Sequence, residues 1–452
     1  MRARQAIIVT VALIGAALAY FLLPEQVDEL GRRAAAIFVL AAVGWGTKII
    51  PLFATSLFVV VASVLLLAEQ GGFATYGGIS ATKFIEPFGS NIIMLFLGGL
   101  VLSVAMSEYN LDKTIATRFL APFTDRPLIL IYAVACVTAF FSMWMSNTAT
   151  AAMMLAIVGS LLRNVPKNDR FGTGLIIAVA MGANIGGIGT PIGSPPNAIA
   201  VAALRTAGYE ITFLSWMIMA IPLAIVLLTI TGLVIYWLFP PTENTAVTDG
   251  FGGTRMTRES WITLGVLVGA VVAWLTGGIH GISDGVIALS AVVVLAATGL
   301  INTEHIKKVD WSVLILIWGG LTLGRALEAT GLIAQLGEIP LEIMPGFILA
   351  FAVLSVAVIL SSFISNTATA ALLIPIVLSF GLPNEAVLVV LTALACSFAM
   401  AMPVSTPPNA LAISSERLQV FDLFRVGGRL SVGAVLVVLV GYWLVIPKTL
   451  GL

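Results

Sequence analysis

The chain has 452 residues, of which 59% are hydrophobic and 10% charged, where a globular domain carries about a quarter charged residues. Lysine plus arginine and aspartate plus glutamate balance at 22 each, so there is no basic field for nucleic acid and no acidic tail. Charge-free runs cover 127–162, 171–204, 211–242, 343–384 and 386–415. A span needs about 20 apolar residues; a soluble enzyme is excluded and an all-α polytopic membrane protein is indicated.

Apolar runs and their charged or Pro/Gly-rich borders place eleven transmembrane helices at 6–23, 34–47, 49–68, 90–106, 171–204, 211–239, 261–276, 284–300, 312–328, 384–415 and 431–447. The first contains Ala17-Leu18-Ala19, which also fits a signal-peptidase site, but the apolar run continues beyond it and reads as an uncleaved span. The segment Leu111–Phe123 reads as an amphipathic helix along the inner interface. Segments 127–162 and 343–380 read as re-entrant hairpins. The first is charge-free but short for two crossings, with a polar middle at Ser142 and Ser146-Asn147-Thr148. Cys136 and Cys396 lie in apolar runs as small buried residues, too few for a disulfide framework.

With the N-terminus inside, sixteen of the 22 Lys and Arg residues fall on the inner side and six on the outer. That bias sets a cytoplasmic N-terminus, an outer C-terminus and a multi-pass protein of the plasma membrane. Residues 1–33 form a first span and loop, and 34–239 and 261–452 form two repeats. The polar, Gly-rich stretch 240–260 links them.

The repeats are visible as duplicated motifs. Ser146 to Ala152 recurs unchanged as Ser365 to Ala371, an offset of 219. Gly98-Gly99-Leu100 recurs as Gly319-Gly320-Leu321, and Pro195-Pro196-Asn197-Ala198 as Pro407-Pro408-Asn409-Ala410. Five spans separate the hairpins, so the second enters from the opposite face. That is an inverted-topology repeat, the signature of a secondary transporter.

Each Ser-Asn-Thr triplet precedes a helix-favouring run, where N-caps sit. A helix end at a hairpin tip offers free N–H groups and a partial positive charge to an anion without needing Lys or Arg. The stretches around Gly193-Ser194-Pro195 and Ser405-Thr406-Pro407 cannot be regular helix, because proline clashes and lacks a donor. Ser194 and Thr406 read as N-caps with Pro195 and Pro407 at the first helical position. Unwound backbone at membrane depth lines a cavity and offers carbonyls to a cation. Co-bound Na⁺ would supply the charge that the missing cationic side chains do not.

Three other signals read as bland. Gly281-Ile282-Ser283-Asp284-Gly285, beside His280, matches the hydrolase elbow pattern but lies in a short loop between spans. His280 and His305 have no second ligand at metal spacing. Arg325 and Glu328 read as an i,i+3 pair.

The paired Ser-Asn-Thr-Ala-Thr-Ala-Ala motifs, with Gly-Ser-Pro-Pro-Asn and Ser-Thr-Pro-Pro-Asn, resemble the divalent anion/sodium symporters, over about residues 30–447. The resemblance implies a homodimer, elevator-type transport and no enzymatic activity. It implies that Ser146, Asn147, Thr148, Ser365, Asn366 and Thr367 meet substrate carboxylates, with Ser194, Pro195, Thr406 and Pro407 closing the site. At least two sodium ions are implied, one at Ser142, Ser146, Asn147 and Gly193, the other at Ser361, Ser365, Asn366 and Ser405. The function implied is sodium-coupled import of C4-dicarboxylates (succinate, malate, fumarate). The alternatives are a carrier of sulfate, citrate or tartrate, an exchanger, an arsenite efflux carrier or an intramembrane enzyme.

Overall fold

The computed structural model describes residues 2–69, 78–241, 255–332, 346–380 and 384–444, and among these all regular structure is helical apart from one isolated bridge, Ala68 to Ile79. Among the described residues, six helices are long and apolar enough to cross a membrane: Thr82–Glu108, Phe213–Leu238, Arg258–Leu275, Trp311–Thr330, Gly346–Phe363 and Val420–Gly441. Other apolar helices run 10–17 residues. A 16-residue helix such as Leu52–Leu67 rises about 24 Å, short of a hydrocarbon core of about 30 Å, so length alone does not reach eleven full spans. Many large apolar side chains lie exposed, among them Ile7, Trp237, Val268 and Phe421. Exposed apolar surface on this scale suits lipid.

The helices group into two units. The first comprises Met1–Ile93, Ala198–Glu210 and Asp310–Cys396; the second comprises Met94–Asn197, Ile211–Val309 and Ser397–Leu452. Three of the boundaries fall inside helices, at Asn91–Glu108, Pro195–Thr206 and Glu385–Ser397. In the first unit, helix Trp311–Thr330 packs on Leu52–Leu67 and on Asn366–Ser379. Its glycines permit this, since a methyl on Gly319 would lie 2.4 Å from Ser56 Cβ and one on Gly320 would lie 2.8 Å from Ala371 Cβ. In the second unit the matching pair serves the same end, with Gly98 against Ala288 and Gly99 against Ile192. The Gly-Gly-Leu repeat is a close-packing device in both copies.

Both expected hairpin segments are helix–turn–helix units, Pro127–Ser142 with Asn147–Leu161 and Gly346–Phe363 with Asn366–Ser379. Both expected broken spans are split, Arg170–Gly186 from Pro195–Thr206 and Glu385–Ser397 from Pro407–Ser414. Most of the 240–260 linker, residues 343–345 and the end of the last expected span lie outside the described residues.

Several boundaries move because charges are accommodated in helices. The second helix begins at Glu29 rather than 34, capped by Asp28. Arg33 pairs with Glu29 at 2.9 Å, and Arg32 donates to the carbonyls of Tyr20, Pro24 and Val27. The last helix begins at Val420 rather than 431, so Arg425 and Arg429 are helical rather than in a loop. Arg425 lies over the Phe421 ring, and Arg429 donates to Arg425 O, as long cationic side chains do when their stems run along apolar surface. Cys136 is exposed on its helix rather than buried, whereas Cys396 is buried. Arg325 donates to Thr206 Oγ1 at 3.4 Å instead of pairing with Glu328.

Candidate functional site

The first triplet lies in the second unit. Met145 N–H folds back to Phe141 O at 2.9 Å, closing the turn after Ser142. Ser146 is extended (φ −61, ψ 142), and its Oγ accepts the Ala149 N–H at 3.2 Å. This is an N-cap, and it leaves the first-turn amides of Asn147 and Thr148 outside the helix's own ladder. Thr148 is exposed.

Behind the cap sits a cluster of oxygens. Ser142 Oγ lies 2.7 Å from Asn147 Oδ1 and 2.7 Å from Ala183 O. A hydroxyl has one proton and can donate to only one of them. Turning the asparagine amide end for end would let its NH₂ donate to the serine. The same three groups can therefore form a closed triad without a cation, or an all-oxygen cradle suited to a hard cation. The neighbouring backbone presses close: a methyl on Gly187 would lie 2.5 Å from Asn147 Oδ1, and one on Gly193 would lie 3.0 Å from Ser142 O. Ser142, Asn147 and Gly193 are thus brought together, with Ser146 next in the chain as the cap.

The second triplet, in the first unit, repeats the pattern. Ser365 (φ −69, ψ 144) accepts the Ala368 N–H at 3.2 Å. Ser361 Oγ lies 2.8 Å from Asn366 Oδ1 and 2.7 Å from Cys396 O. Here Thr367 is buried, at 9% exposure. Thr150 Oγ1 and Thr369 Oγ1, matching positions of the two motifs, are both buried without a hydrogen-bond partner.

The two irregular loops lie in the second unit. Asn197 Nδ2 donates to Gly187 O at 2.9 Å and Thr190 O at 2.8 Å. Asn409 Nδ2 donates to Met400 O at 2.9 Å and Met402 O at 3.0 Å. Each asparagine clips together carbonyls that an unbroken helix would have bonded along its own axis. Trp216 Nε1 adds a bond to Ile188 O at 2.9 Å. Thr406 caps its half-helix, accepting the Asn409 N–H at 3.4 Å. At the first copy the Asn197 N–H bonds Ser194 O at 3.1 Å, while Ser194 Oγ faces Ser397 Oγ at 3.5 Å. Pro195 and Pro407 begin their helices, and Ser405 Oγ donates to Met402 O at 2.6 Å.

Sequence reasoning gave no role to Asn197 and Asn409, although their recurrence at one position of a duplicated motif was the signal. Asn184, whose Nδ2 donates to Asn409 Oδ1 at 3.0 Å, had no such signal, because it has no asparagine mate. The hydrolase-like pattern is excluded by its setting. Ser283 precedes a helix, Asp284–Ala297, with no strand before it among the described residues, and both His280 ring nitrogens are engaged, with Ala273 O and Ile282 N. No cluster of three or more His, Cys, Asp or Glu that could hold a metal occurs among the described residues. The first unit also contains a cavity of about 550 Å³ lined by residues that include Ile199, Arg205, Leu321, Arg325 and Ile374; neither triplet lines it.

Comparison with known proteins is informative over nearly the whole chain. Residues 3–448 match the family described as Sodium:sulfate symporter transmembrane region. The sodium-dependent dicarboxylate transporter SdcS of Staphylococcus aureus is 30% identical, covering 96% of this chain and 89% of its own. An uncharacterized transporter of Haemophilus influenzae is 31% identical, covering 89% of each chain. Among solved structures, MtrF of Neisseria gonorrhoeae superposes with a TM-score of 0.59 at 11% identity, over 89% of this chain and 96% of that one. The Alcanivorax borkumensis YdaH transporter gives 0.57 at 14% identity, over 79% and 87%. At such identities the two structures speak for the fold alone. With its motifs, its apolar helices and its match from end to end, the chain belongs to the divalent anion/sodium symporter family, a sodium-coupled secondary transporter of the membrane and not an enzyme.

Proposed function

We propose that the protein imports C4-dicarboxylates such as succinate, malate and fumarate, with sodium as the driving ion. The observation that carries this reading is the duplicated arrangement of a capped helix end backed by a serine–asparagine–carbonyl cluster. Each helix end offers first-turn amides to one carboxylate, through Ser146, Asn147 and Thr148 in one copy and Ser365, Asn366 and Thr367 in the other. Each cluster offers oxygens to one Na⁺, at Ser142, Ser146, Asn147 and Gly193, and at Ser361, Ser365, Asn366 and Ser405. Anion and cation then stabilise each other where no Lys or Arg is at hand, so neither binds well alone. Ser194 and Pro195, with Thr406 and Pro407, close the site.

The dicarboxylate assignment draws support from the Staphylococcus relatives, whose names carry that substrate. A second reading, sulfate, is favoured by the description of the matched family. The reading further holds that eleven spans and two re-entrant hairpins place the N-terminus in the cytoplasm and the C-terminus outside the plasma membrane. Two such chains form a homodimer in which hairpins and broken spans move together as an elevator.

Competition separates the substrates. At fixed Na⁺, excess unlabelled succinate is expected to abolish uptake of labelled succinate, and sulfate is expected to leave most of it. Stronger displacement by sulfate, or by citrate, transfers the assignment to that anion.

A further inference from the structure

The two broken spans are joined inside the second unit by one buried amide pair. Asn184 Nδ2 donates to Asn409 Oδ1 at 3.0 Å, and the two residues are 1% and 0% exposed. The orientation of the pair is forced. Asn409 spends its NH₂ group on Met400 O and Met402 O, so its oxygen must accept. Asn184 must therefore present its own NH₂ group, and its Oδ1 is left buried without a donor. A side chain present only to fill space would carry no such orphan, since leucine occupies similar volume without a polar atom.

What the pair connects gives it meaning. Ala183 O, which meets Ser142 Oγ, belongs to the residue just before Asn184. Met400 and Met402, held by Asn409, lead into Ser405 and Thr406. The pair thus runs from the oxygen cluster of the first copy to the loop of the second through only two side chains. It occurs once. Matching Ala183 O with Cys396 O, the carbonyls that face Ser142 and Ser361, puts Ser397 in the place of Asn184 in the second copy.

We propose that Asn184 is a positioning residue that couples sodium binding in the two copies. A cation at the Ser142–Asn147–Ala183 cluster orders the end of helix Arg170–Gly186, and Asn184 passes that order through Asn409 to the loop bearing Ser405. Occupancy of either copy then favours occupancy of the other, because coupling is reciprocal. The inference rests on the proposed reading that sodium binds at both copies.

The test is the Na⁺ dependence of labelled-succinate uptake by purified protein in proteoliposomes, for wild type, Asn184→Leu and Asn184→Ser. Monodisperse elution in detergent identifies the variants that fold, and serine is the milder change should leucine fail. The wild type is expected to show a Hill coefficient above one. In the variants it falls toward one, and half-saturating Na⁺ rises about two- to tenfold, the range that one hydrogen bond between coupled sites sets. Half-saturating succinate at saturating Na⁺ stays within about twofold, since neither cluster nor cap is altered. A merely structural residue would lower maximal uptake and leave the shape of the Na⁺ curve intact. A folded variant as cooperative as a cooperative wild type overturns the coupling alone. A wild type that transports succinate along a hyperbolic Na⁺ curve overturns the two-site reading and the coupling with it.

Discussion

In the first copy of the broken-span motif, Asn197 clips Gly187 O to Thr190 O; in the second, Asn409 clips Met400 O to Met402 O across a run one residue shorter. The first run is rich in glycine because its surroundings leave no room. A methyl on Gly186 would lie 2.2 Å from Ala139 O, and one on Gly187 would reach the Asn147 amide. The matched positions in the second copy are Ala399 and Met400. The asparagine and the two prolines are kept while the glycines are not. The prolines that stop the helix and the amide clip that holds the freed carbonyls are therefore common to both copies. Room for a close neighbour comes from glycines in the first loop itself and from Gly427 on the helix beside the second, where a methyl would fall on Met400 O. The copies also differ in their debts: Asn409 Oδ1 receives Asn184, whereas Asn197 Oδ1 is buried without a donor.

Removing the clips should break the comparison most visibly. Asn197→Ala strands Gly187 O and Asn409→Ala strands Met400 O, at about 1–3 kcal/mol each, while Thr190 O keeps the Gly193 N–H and Met402 O keeps Ser405. Asn409→Ala also orphans the Asn184 NH₂ group. Both should lower thermal stability in detergent, Asn409→Ala by about 0.5–1.5 kcal/mol more. Equal losses would mean that the Asn184 bond adds nothing.

The triplets come next. Asn147→Ala and Asn366→Ala each remove a group of the proposed anion and cation sites, worth about 1.5–3 kcal/mol for a bond to a charge. Labelled-succinate uptake should fall at least about tenfold, with normal membrane expression. An effect confined to one copy would show that only that triplet serves transport.

A smaller effect distinguishes the loops themselves. Gly187→Ala pushes a methyl into the Asn147 amide and should cost about 1–3 kcal/mol, raising the Na⁺ needed for half-maximal uptake. Ala399→Gly, in the second loop, should cost no more than about 1 kcal/mol. Melting curves and Na⁺ titrations of the pair decide between them.

The smallest effect lies at the surface. Lys167 bonds Glu416 at 2.8 Å, and that hydrogen bond, with the charge behind it, holds the Glu416 carboxyl below the usual carboxylate range. A carboxylate with a lowered folded pKa contributes stability above its unfolded value and loses it as pH falls through the folded one. Both side chains are largely exposed, so the effect of Lys167→Ala on melting should be slight at pH 7, fade as pH falls through the lowered folded pKa of Glu416 and be screened by salt. A large loss that persists in acid would assign Lys167 another role.

Much of this arrangement was legible from residue order, for physical reasons. Seven identical residues at two places, followed by apolar runs, predict two capped helix starts, and Ser146 and Ser365 cap as expected. Proline pairs after Gly-Ser and Ser-Thr predict two split helices, since proline cannot continue one. Charges misled the boundaries, because Arg32, Arg33, Arg425 and Arg429 find carbonyl, carboxylate or aromatic partners along helices that were expected to start after them. The roles of Asn184, Asn197 and Asn409 depend on which carbonyls the broken backbone leaves unbonded. That is set by three-dimensional closure of the loops, and no local pattern encodes it.

In the proposed function, sodium gradients drive a dianion through this duplicated arrangement. Purified protein in proteoliposomes, given labelled succinate and an inward Na⁺ gradient, should accumulate it above equilibrium, and K⁺ in place of Na⁺ should reduce uptake to the level of empty vesicles. Undiminished succinate accumulation in K⁺, or under a proton gradient alone, would contradict it.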